Sequence, residues 1–234
     1  MKALATAAAL LLAAPLHAAD FPSIGNLAQD ELTRVASDLG AAFSYKGVTP
    51  ATALGITGFD IGLEVTDTTV EHSGLFRIAG AGGPSRITVP KVHVYKGLPF
   101  GFDIGAFAAM ASEIDATIYG VDLRYAVIND GITTPAVALR ASGTRATGLG
   151  ALRVSTTALD VMVSKRFTLL TPYAGAGAVR TTARVSGTSL GEARGNESRL
   201  FAGVNLNLVA VNLAFEAEKA GDNRSLSAKL GWRF

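Results

Sequence analysis

The sequence predicts an all-β protein, a closed antiparallel transmembrane β-barrel of about ten strands with a short N-terminal helix. Three observations lead to this fold class. Residues 197–234 contain three runs in which apolar and polar residues alternate, and period two is the period of a strand. Turn-separated segments of about ten residues repeat the pattern along the chain, as in outer-membrane barrels. The chain also begins with a secretory signal and has the aromatic Phe234 as its last residue.

The last run shows the alternation most clearly. Leu226, Leu230 and Trp232 share one face, while Ser227 and Lys229 share the other. A soluble antiparallel sandwich alternates in the same way. The secretory signal and the terminal aromatic favour the membrane barrel, in which the terminal residue would address the chain to the barrel-assembly machinery.

Residues 1–19 have the features of a cleavable signal peptide. Lys2 precedes a short apolar run, and small residues follow it, so cleavage is expected near Ala18 or Ala19. The run is too short to be a spanning helix. The chain has no cysteine, which excludes a lipid anchor, a disulfide framework and a thiolate metal site. The formal charge of +2 gives no nucleic-acid signature.

Two segments are expected after the signal, an N-terminal helical segment at 20–40 and an outer-membrane barrel at 41–234. Ser23 is a candidate helix cap. We favour a short periplasmic helix that leads into the barrel, and the alternative is a plug inside the lumen. Counting 41–46 as a strand would give an odd total, whereas single-chain bacterial barrels have even numbers. We therefore predict ten full strands from about residue 54, with twelve as the alternative.

Connection lengths predict the orientation of the barrel. Residues 67–85 and 186–197 are long and rich in Gly, Ser and Thr, and we expect them outside the cell. Short turns and the C-terminus are expected on the periplasmic side. The predicted full strands are 54–66, 86–95, 99–111, 116–128, 135–143, 152–165, 171–185, 198–208, 209–218 and 224–234.

The residues opposite in parity to the apolar face carry most of the charge. A charge facing lipid would cost about 2–4 kcal/mol at mid-bilayer, so these side chains are expected in the lumen. They either fill the barrel as a salt-bridge network or line a pore and set its ion preference. The candidates for lining the lumen are Asp60, Glu64, Asp103, Asp122, Arg124, Arg140, Asp160, Arg180 and Glu216.

One strand changes phase. Ile87 and Val89 are apolar at odd positions, but Val92 is apolar at an even one. We expect a bulge at Pro90, which would turn His93 inward.

Arginine is concentrated in the half of the barrel expected outside. Its guanidinium binds phosphate through two parallel hydrogen bonds, so we predict contact with lipopolysaccharide phosphates. The alternative is that these arginines snorkel and pair locally. The candidates are Arg145, Arg153, Arg194 and Arg199.

Catalytic and metal-site motifs are absent from the sequence. It lacks a phosphate loop and an H-E-x-x-H motif. His72 stands beside Ser73 and near Glu71 in a long loop, from which a hydrolase site could be imagined. We expect no enzymatic activity, no cofactor and no metal site.

Residues 54–62, 89–106 and 201–234 resemble a group of uncharacterised proteobacterial outer-membrane β-barrel proteins. The resemblance covers most of the chain after the signal. It implies the fold and an outer-membrane location, but no functional residue is transferred.

The function predicted first is a small pore or transporter for ions or small solutes. The alternative is a sealed structural or surface-interaction barrel that acts through its extracellular loops, and an outer-membrane enzyme using His72 comes third. The expected partners are outer-membrane lipid, lipopolysaccharide and, through Phe234, the assembly machinery, with no nucleic acid. The sequence does not predict the solute, an open lumen or the oligomeric state.

Overall fold

Ten antiparallel strands close into a barrel in the computed structural model, which describes residues 21–208 and 211–234. The predicted fold class and strand number are confirmed. The predicted signal peptide lies outside the described residues. No helix within the described ranges is long and apolar enough to cross a membrane.

The helices are α1 (Gln29–Phe43) and α2 (Ser73–Ile78). The strands are β1 (Phe59–Thr69), β2 (Arg86–Gly97), β3 (Phe102–Ala111), β4 (Ala116–Ile128), β5 (Ala136–Thr147), β6 (Leu152–Ser164), β7 (Leu170–Val185), β8 (Ala193–Leu208), β9 (Val211–Ala220) and β10 (Asn223–Arg233).

Every strand pairs with its neighbour in sequence, and β1 pairs with β10 to close the barrel. Inward-facing hydroxyls reinforce this closing seam. The Thr66 and Ser227 oxygens are 2.8 Å apart, and those of Thr68 and Ser225 are 2.9 Å apart. Closure leaves no sheet edge among the described strands, so each one has a partner on both sides.

The two ends of the barrel differ in their connections. The turn end holds the connections at 98–101, 129–135 and 165–169, together with Phe234. The loop end holds the connections at 70–85, 112–115, 148–151, 186–192 and 221–222. Strand β8 begins at Ala193, so the second long loop is shorter than the predicted 186–197.

The N-terminal segment lies inside the barrel. Helix α1 starts at the loop end, and its side chains Leu32, Val35 and Leu39 are all 0% exposed. Residues 44–53 then continue through the lumen as a non-helical chain to the turn end. The expectation of a helix outside the barrel is therefore wrong, and the alternative of a plug describes the structure. We call residues 29–53 the plug.

The start of α1 differs from the predicted cap. The helix begins at Gln29 rather than after Ser23, and the Ala28 amide donates to the Glu31 carboxylate at 2.8 Å. Glu31 thus satisfies an amide that has no partner within the helix.

The lumen wall around α1 is apolar, and this explains the phase of β2. The register of β1 and β2 runs without a shift through Pro90, and Ile87, Val89 and His93 all point inward. The predicted bulge at Pro90 is wrong. Both odd-numbered apolar residues face α1, whereas Val92 faces outward.

Glycines make room for aromatic rings inside the barrel. Phe107 lies across Gly120 on the neighbouring strand, where a Cβ would be 2.0 Å from the ring. The Phe107 ring then packs against Tyr45 of the plug, with 5.0 Å between their centroids. The same pairing of an inward ring with a cross-strand glycine recurs at Tyr95/Gly105, Tyr173/Gly203 and Phe201/Gly175.

Adding one methyl group at Gly120 should therefore destabilise the barrel. We expect Gly120→Ala to lower the free energy of unfolding by about 1–3 kcal/mol, because the Phe107 ring must leave its place against the plug. Urea unfolding followed by tryptophan fluorescence measures this. The matched control is Gly143→Ala on the outer face, where the nearest atom would be 3.8 Å from the new Cβ. Equal stabilities of the two variants would contradict the packing argument.

Candidate functional site

The half of the lumen nearer the turn end is lined with buried charges, and residues 44–53 of the plug run between them. We call this set of wall residues the charged layer. Eight of the nine predicted lumen residues are in it, each buried. Its members are Asp60, Glu64, Lys91, His93, Asp103, Asp122, Arg124, Arg140, Asp160, Arg199, Glu216, Glu218, Lys229 and Arg233.

A first group links strands β1, β2 and β10. Asp60 accepts a hydrogen bond from Lys229 Nζ at 2.8 Å and lies 3.1 Å from His93 Nε2. The other ring nitrogen of His93 is 3.0 Å from Glu64, which also pairs with Lys91 at 2.5 Å. The imidazole thus bridges two carboxylates, each of which has a lysine of its own.

A second group surrounds Asp160 on β6. Arg140 Nε donates to it at 2.9 Å, and Arg199 Nε donates at 2.6 Å while Arg199 Nη2 contacts its other oxygen. Two arginines share one carboxylate here. Gly177 makes the room, since a Cβ there would be 2.2 Å from Asp160 Oδ1.

A third group joins β3 and β4 near the turn end. Arg124 donates to Asp103 Oδ2 through both Nε at 3.1 Å and Nη2 at 2.6 Å, so one carboxylate oxygen accepts two charge-assisted hydrogen bonds. Asp103 also accepts a hydrogen bond from the Leu54 amide at 3.0 Å. This pair therefore holds the chain where it leaves the lumen.

Four wall cations bind the plug through its backbone carbonyls, and one of them is Arg233, whose Nη2 donates to the Thr52 carbonyl at 3.0 Å. Arg199 Nη1 donates to the Tyr45 carbonyl at 2.9 Å, and Arg124 Nη1 donates to the Pro50 carbonyl at 2.6 Å. Lys91 donates to the Lys46 carbonyl. The chain at 44–53 is not helical, so its carbonyls are free to accept these bonds.

The plug contributes one buried cation in return. Lys46 Nζ lies 3.3 Å from Glu218 Oε1 on the wall and donates to the Ala41 carbonyl at 2.5 Å. A buried ammonium without partners would be costly, so this contact fixes the depth of the plug. A cavity of about 10 Å³ lies between Lys46, Phe43 and Lys91, at the lower limit of the space that one water molecule needs.

Two predicted site residues are misplaced. Arg180, expected in the lumen, is exposed on the outer face of β7, while Val179 and Thr181 point inward. Arg199, expected at the outer rim, is 1% exposed inside the lumen. Small residues on both faces of β7 hid its phase from the sequence pattern.

Asp38 at the loop end was missed by the sequence analysis. Its carboxylate accepts a hydrogen bond from the His72 amide at 2.8 Å and lies 3.3 Å from His72 Nδ1. Asn223 donates to its other oxygen at 2.9 Å. A buried carboxylate on α1 thus ties the plug to the first long loop and to β10, and it is the partner that His72 lacked in sequence.

No metal site is formed by three or more His, Asp or Glu side chains in the described part of the chain. At the turn end, a cavity of about 240 Å³ opens between the end of the plug and the wall. Its lining includes Thr52, Asn205 and Arg233, so its polar groups are hydroxyl, amide and guanidinium donors.

The outer face of the barrel is apolar in its middle. Ile61, Val121 and Leu159 are 47%, 60% and 69% exposed. Aromatic side chains gather at the turn end, where Phe102 stacks on Tyr125 with 4.6 Å between centroids. Phe59, Trp232 and Phe234 form a second aromatic group there.

No protein-family model matches the sequence, and no curated protein sequence matches it. Similar solved structures include the N-terminal β-barrel domain of Pseudomonas aeruginosa OprF, at 13% identity and a TM-score of 0.38, covering 77% of this chain and 99% of that chain. The KdgM porin matches at 8% identity and a TM-score of 0.39, covering 76% and 99%. The translocator domain of the autotransporter NalP from Neisseria meningitidis matches at 14% identity and a TM-score of 0.41, covering 88% and 95%. No residue or activity is transferred from them.

Removing the Asp160 carboxylate, which Arg140 and Arg199 share, should destabilise the barrel. We expect Asp160→Ala to lower the free energy of unfolding by about 3–5 kcal/mol, because it leaves Arg140 and Arg199 buried without their partner. Asp67→Ala is the control. It removes an ion pair with Arg86 at 2.7 Å whose side chains are 37% and 49% exposed, and it should cost at most about 1 kcal/mol. Urea unfolding of both variants measures the difference. Similar losses of unfolding free energy in the two variants would contradict a stabilising role for the Asp160 pairs.

Proposed function

We propose that this protein is an outer-membrane barrel sealed by its own N-terminal segment, which works through its outward-facing end. Four features support the location: an even number of strands, an apolar middle band, aromatic side chains at the turn end, and the longest of the described connections, 70–85, at the opposite end. By the same rule the turn end faces the periplasm and the loop end faces outside. The secretory signal predicted from the sequence agrees with this orientation.

The observation that carries the sealed state is the burial of the plug. Leu32, Val35, Leu39 and Phe43 are at most 2% exposed against the lumen wall. Burying each of these side chains contributes roughly 1.5–3 kcal/mol, so together they oppose withdrawal of α1 by roughly 6–12 kcal/mol. The four wall cations that bind its backbone carbonyls oppose withdrawal further. A barrel closed in this way passes no ions, so its function resides at its outward-facing end.

A plug-gated pore is the second candidate. The charged layer belongs to the barrel wall and contains seven carboxylates, four guanidiniums, two ammonium groups and one imidazole. If the plug left the lumen, these side chains would face water and set the ion preference. This is the pore predicted from the sequence, with the plug as its gate.

Conductance in a planar bilayer tests the sealed state. We expect the refolded protein without its signal to be silent, and a variant lacking residues 21–53 to conduct steadily. Both proteins must first show heat-shifted gel mobility, which demonstrates a folded barrel. Steady conductance of the full-length protein would overturn the sealed state.

A disulfide that locks the plug separates the two candidates and does not depend on the deletion folding. A Cβ added at Gly195 on β8 would be 3.0 Å from Ser37 Oγ on α1, and the chain has no other cysteine. In Ser37→Cys/Gly195→Cys, a gated pore should lose any conductance on oxidation and regain it on reduction. A sealed barrel should be silent in both states.

Cysteine labelling tests the orientation. Asn26 is exposed at the loop end, and Ile132 is 99% exposed in the turn between β4 and β5. We expect a membrane-impermeant maleimide to label Asn26→Cys in intact cells, and to label Ile132→Cys only after the outer membrane is permeabilised. The reverse pattern would invert the barrel, and labelling of neither variant in intact or permeabilised cells would contradict the location.

A further inference from the structure

Five arginines lie on the outer face of four neighbouring strands, at the loop end. They are Arg145 on β5, Arg153 on β6, Arg180 and Arg184 on β7, and Arg194 on β8, and all five are exposed. We call them the arginine patch. It differs from the set expected from the sequence, because Arg199 belongs to the lumen while Arg180 and Arg184 point outward.

The strand register places these side chains close together. Arg153 is directly opposite Arg184, and Arg180 is directly opposite both Thr157 and Asn196. Directly opposite Cβ atoms are about 4.5–5.5 Å apart, and four strands at about 4.8 Å spacing are about 15 Å wide. The patch is therefore comparable in width to one lipid headgroup with two phosphates.

Hydroxyls and an amide occupy the positions between the guanidiniums. Arg145 is opposite Ser155, which in turn is opposite Thr182, and Thr182 is opposite Arg194. Hydroxyl and guanidinium groups are both hydrogen-bond donors to phosphate oxygens. The outer face here thus presents donors in every row.

The patch has little negative charge of its own. Glu192 lies between two of the arginines, 2.5 Å from Arg194 Nε and in contact with Arg184 Nε. Hydrogen bonds from Arg194 and then Arg184 lower the pKa of Glu192 from its usual value, so it stays ionised. Within residues 21–208 and 211–234, the salt bridges include no carboxylate partner for Arg145, Arg153 or Arg180.

Like charges directly opposite one another on neighbouring strands destabilise a sheet. Arg153 and Arg184 have this arrangement, and Glu192 contacts only the second of them. An anion bound between the strands would remove the repulsion. The arginines without a carboxylate partner are therefore available to an anion from outside the chain.

The position of the patch identifies the source of that anion. Arg145 is directly opposite Tyr119 on β4. Tyr119 is an aromatic residue that is 54% exposed, and it lies where the apolar band ends toward the loop end. Leu159 and Leu200, 69% and 63% exposed, lie on the same face nearer the turn end. A ligand on the patch thus has its acidic group at the level of the headgroups and its apolar part against the band.

We propose that the arginine patch binds the phosphates of a bisphosphorylated lipid in the outer leaflet, with its acyl chains on the apolar band below. The lipid A part of lipopolysaccharide has this chemistry. The assignment rests on the proposed outer-membrane location. Two guanidiniums can each grip a phosphate through paired hydrogen bonds.

The test uses the three arginines that lack a carboxylate partner. The variant is Arg145→Gln/Arg153→Gln/Arg180→Gln, and the control is Arg166→Gln, a single exposed arginine at the turn end. Both are refolded without the signal and checked by heat-shifted gel mobility. Binding of bisphosphoryl lipid A, dephosphorylated lipid A and inorganic phosphate is measured by native mass spectrometry from detergent micelles.

We expect the triple variant to bind bisphosphoryl lipid A at least tenfold more weakly than the parent, and the control to bind as the parent does. The parent should bind dephosphorylated lipid A at least tenfold more weakly than the bisphosphoryl form. Equal binding of the two lipids, or no loss in the triple variant, would overturn the proposal. Retention of inorganic phosphate as tightly as lipid would overturn the lipid source. Cysteine labelling at Asn26 reports the location independently, so the two failures are distinguishable.

Discussion

The hydrogen bonds from wall cations to the plug backbone are the interaction on which the rest of the structure depends. A narrow barrel with charges on its inner face must satisfy them without bulk water. Asp160 partly satisfies two arginines, but Arg199 still has donors to spare, and the carbonyl of Tyr45 takes one. Arg124 relates to Asp103 and the Pro50 carbonyl in the same way. In the charged layer, the wall thus holds the plug largely through its backbone carbonyls.

This requirement explains why the plug changes structure halfway along. A helix uses its own carbonyls, so it has none to offer except at its end. Helix α1 therefore occupies the apolar half of the lumen, where side-chain packing is enough. In the charged layer the chain is non-helical; Pro50 lacks an amide hydrogen, and Val48 has a φ of 41°, outside the helical region. The helical half of the plug thus lies against the apolar wall, and the non-helical half, whose carbonyls can accept hydrogen bonds, lies in the charged layer.

The sequence predicted the strand number and the lipid-facing parity because alternation against lipid has a single physical cause along the whole barrel. The prediction from the sequence failed on the inner face, where packing against α1 also determines which residues are apolar. Ile87 and Val89 look out of phase only if the lumen is assumed polar throughout, and the presence of α1 makes that assumption wrong. Arg180 was placed in the lumen because β7 has alanine and glycine on both faces, and Arg199 was placed at the rim because β8 was predicted to begin at 198, whereas it begins at Ala193. The ring-to-glycine pairs were visible as residues, but only the strand register shows that Phe107 and Gly120 are partners.

The outer surface differs from the lumen in how its charges are paired. Inside the barrel, Asp60, Asp103 and Asp160 are each paired with a wall cation and are at most 3% exposed, so they have little to offer a partner from outside. At the loop end the balance is reversed, since Arg153 and Arg184 face one another and the Glu192 carboxylate contacts only Arg184 of the two. A folded chain keeps such repulsion only where it is weak or where a ligand offsets it. The paired charges of the interior thus provide stability, whereas the exposed arginines that can recognise a ligand, and that have no carboxylate partner among the described residues, lie on the outer face of β5–β7.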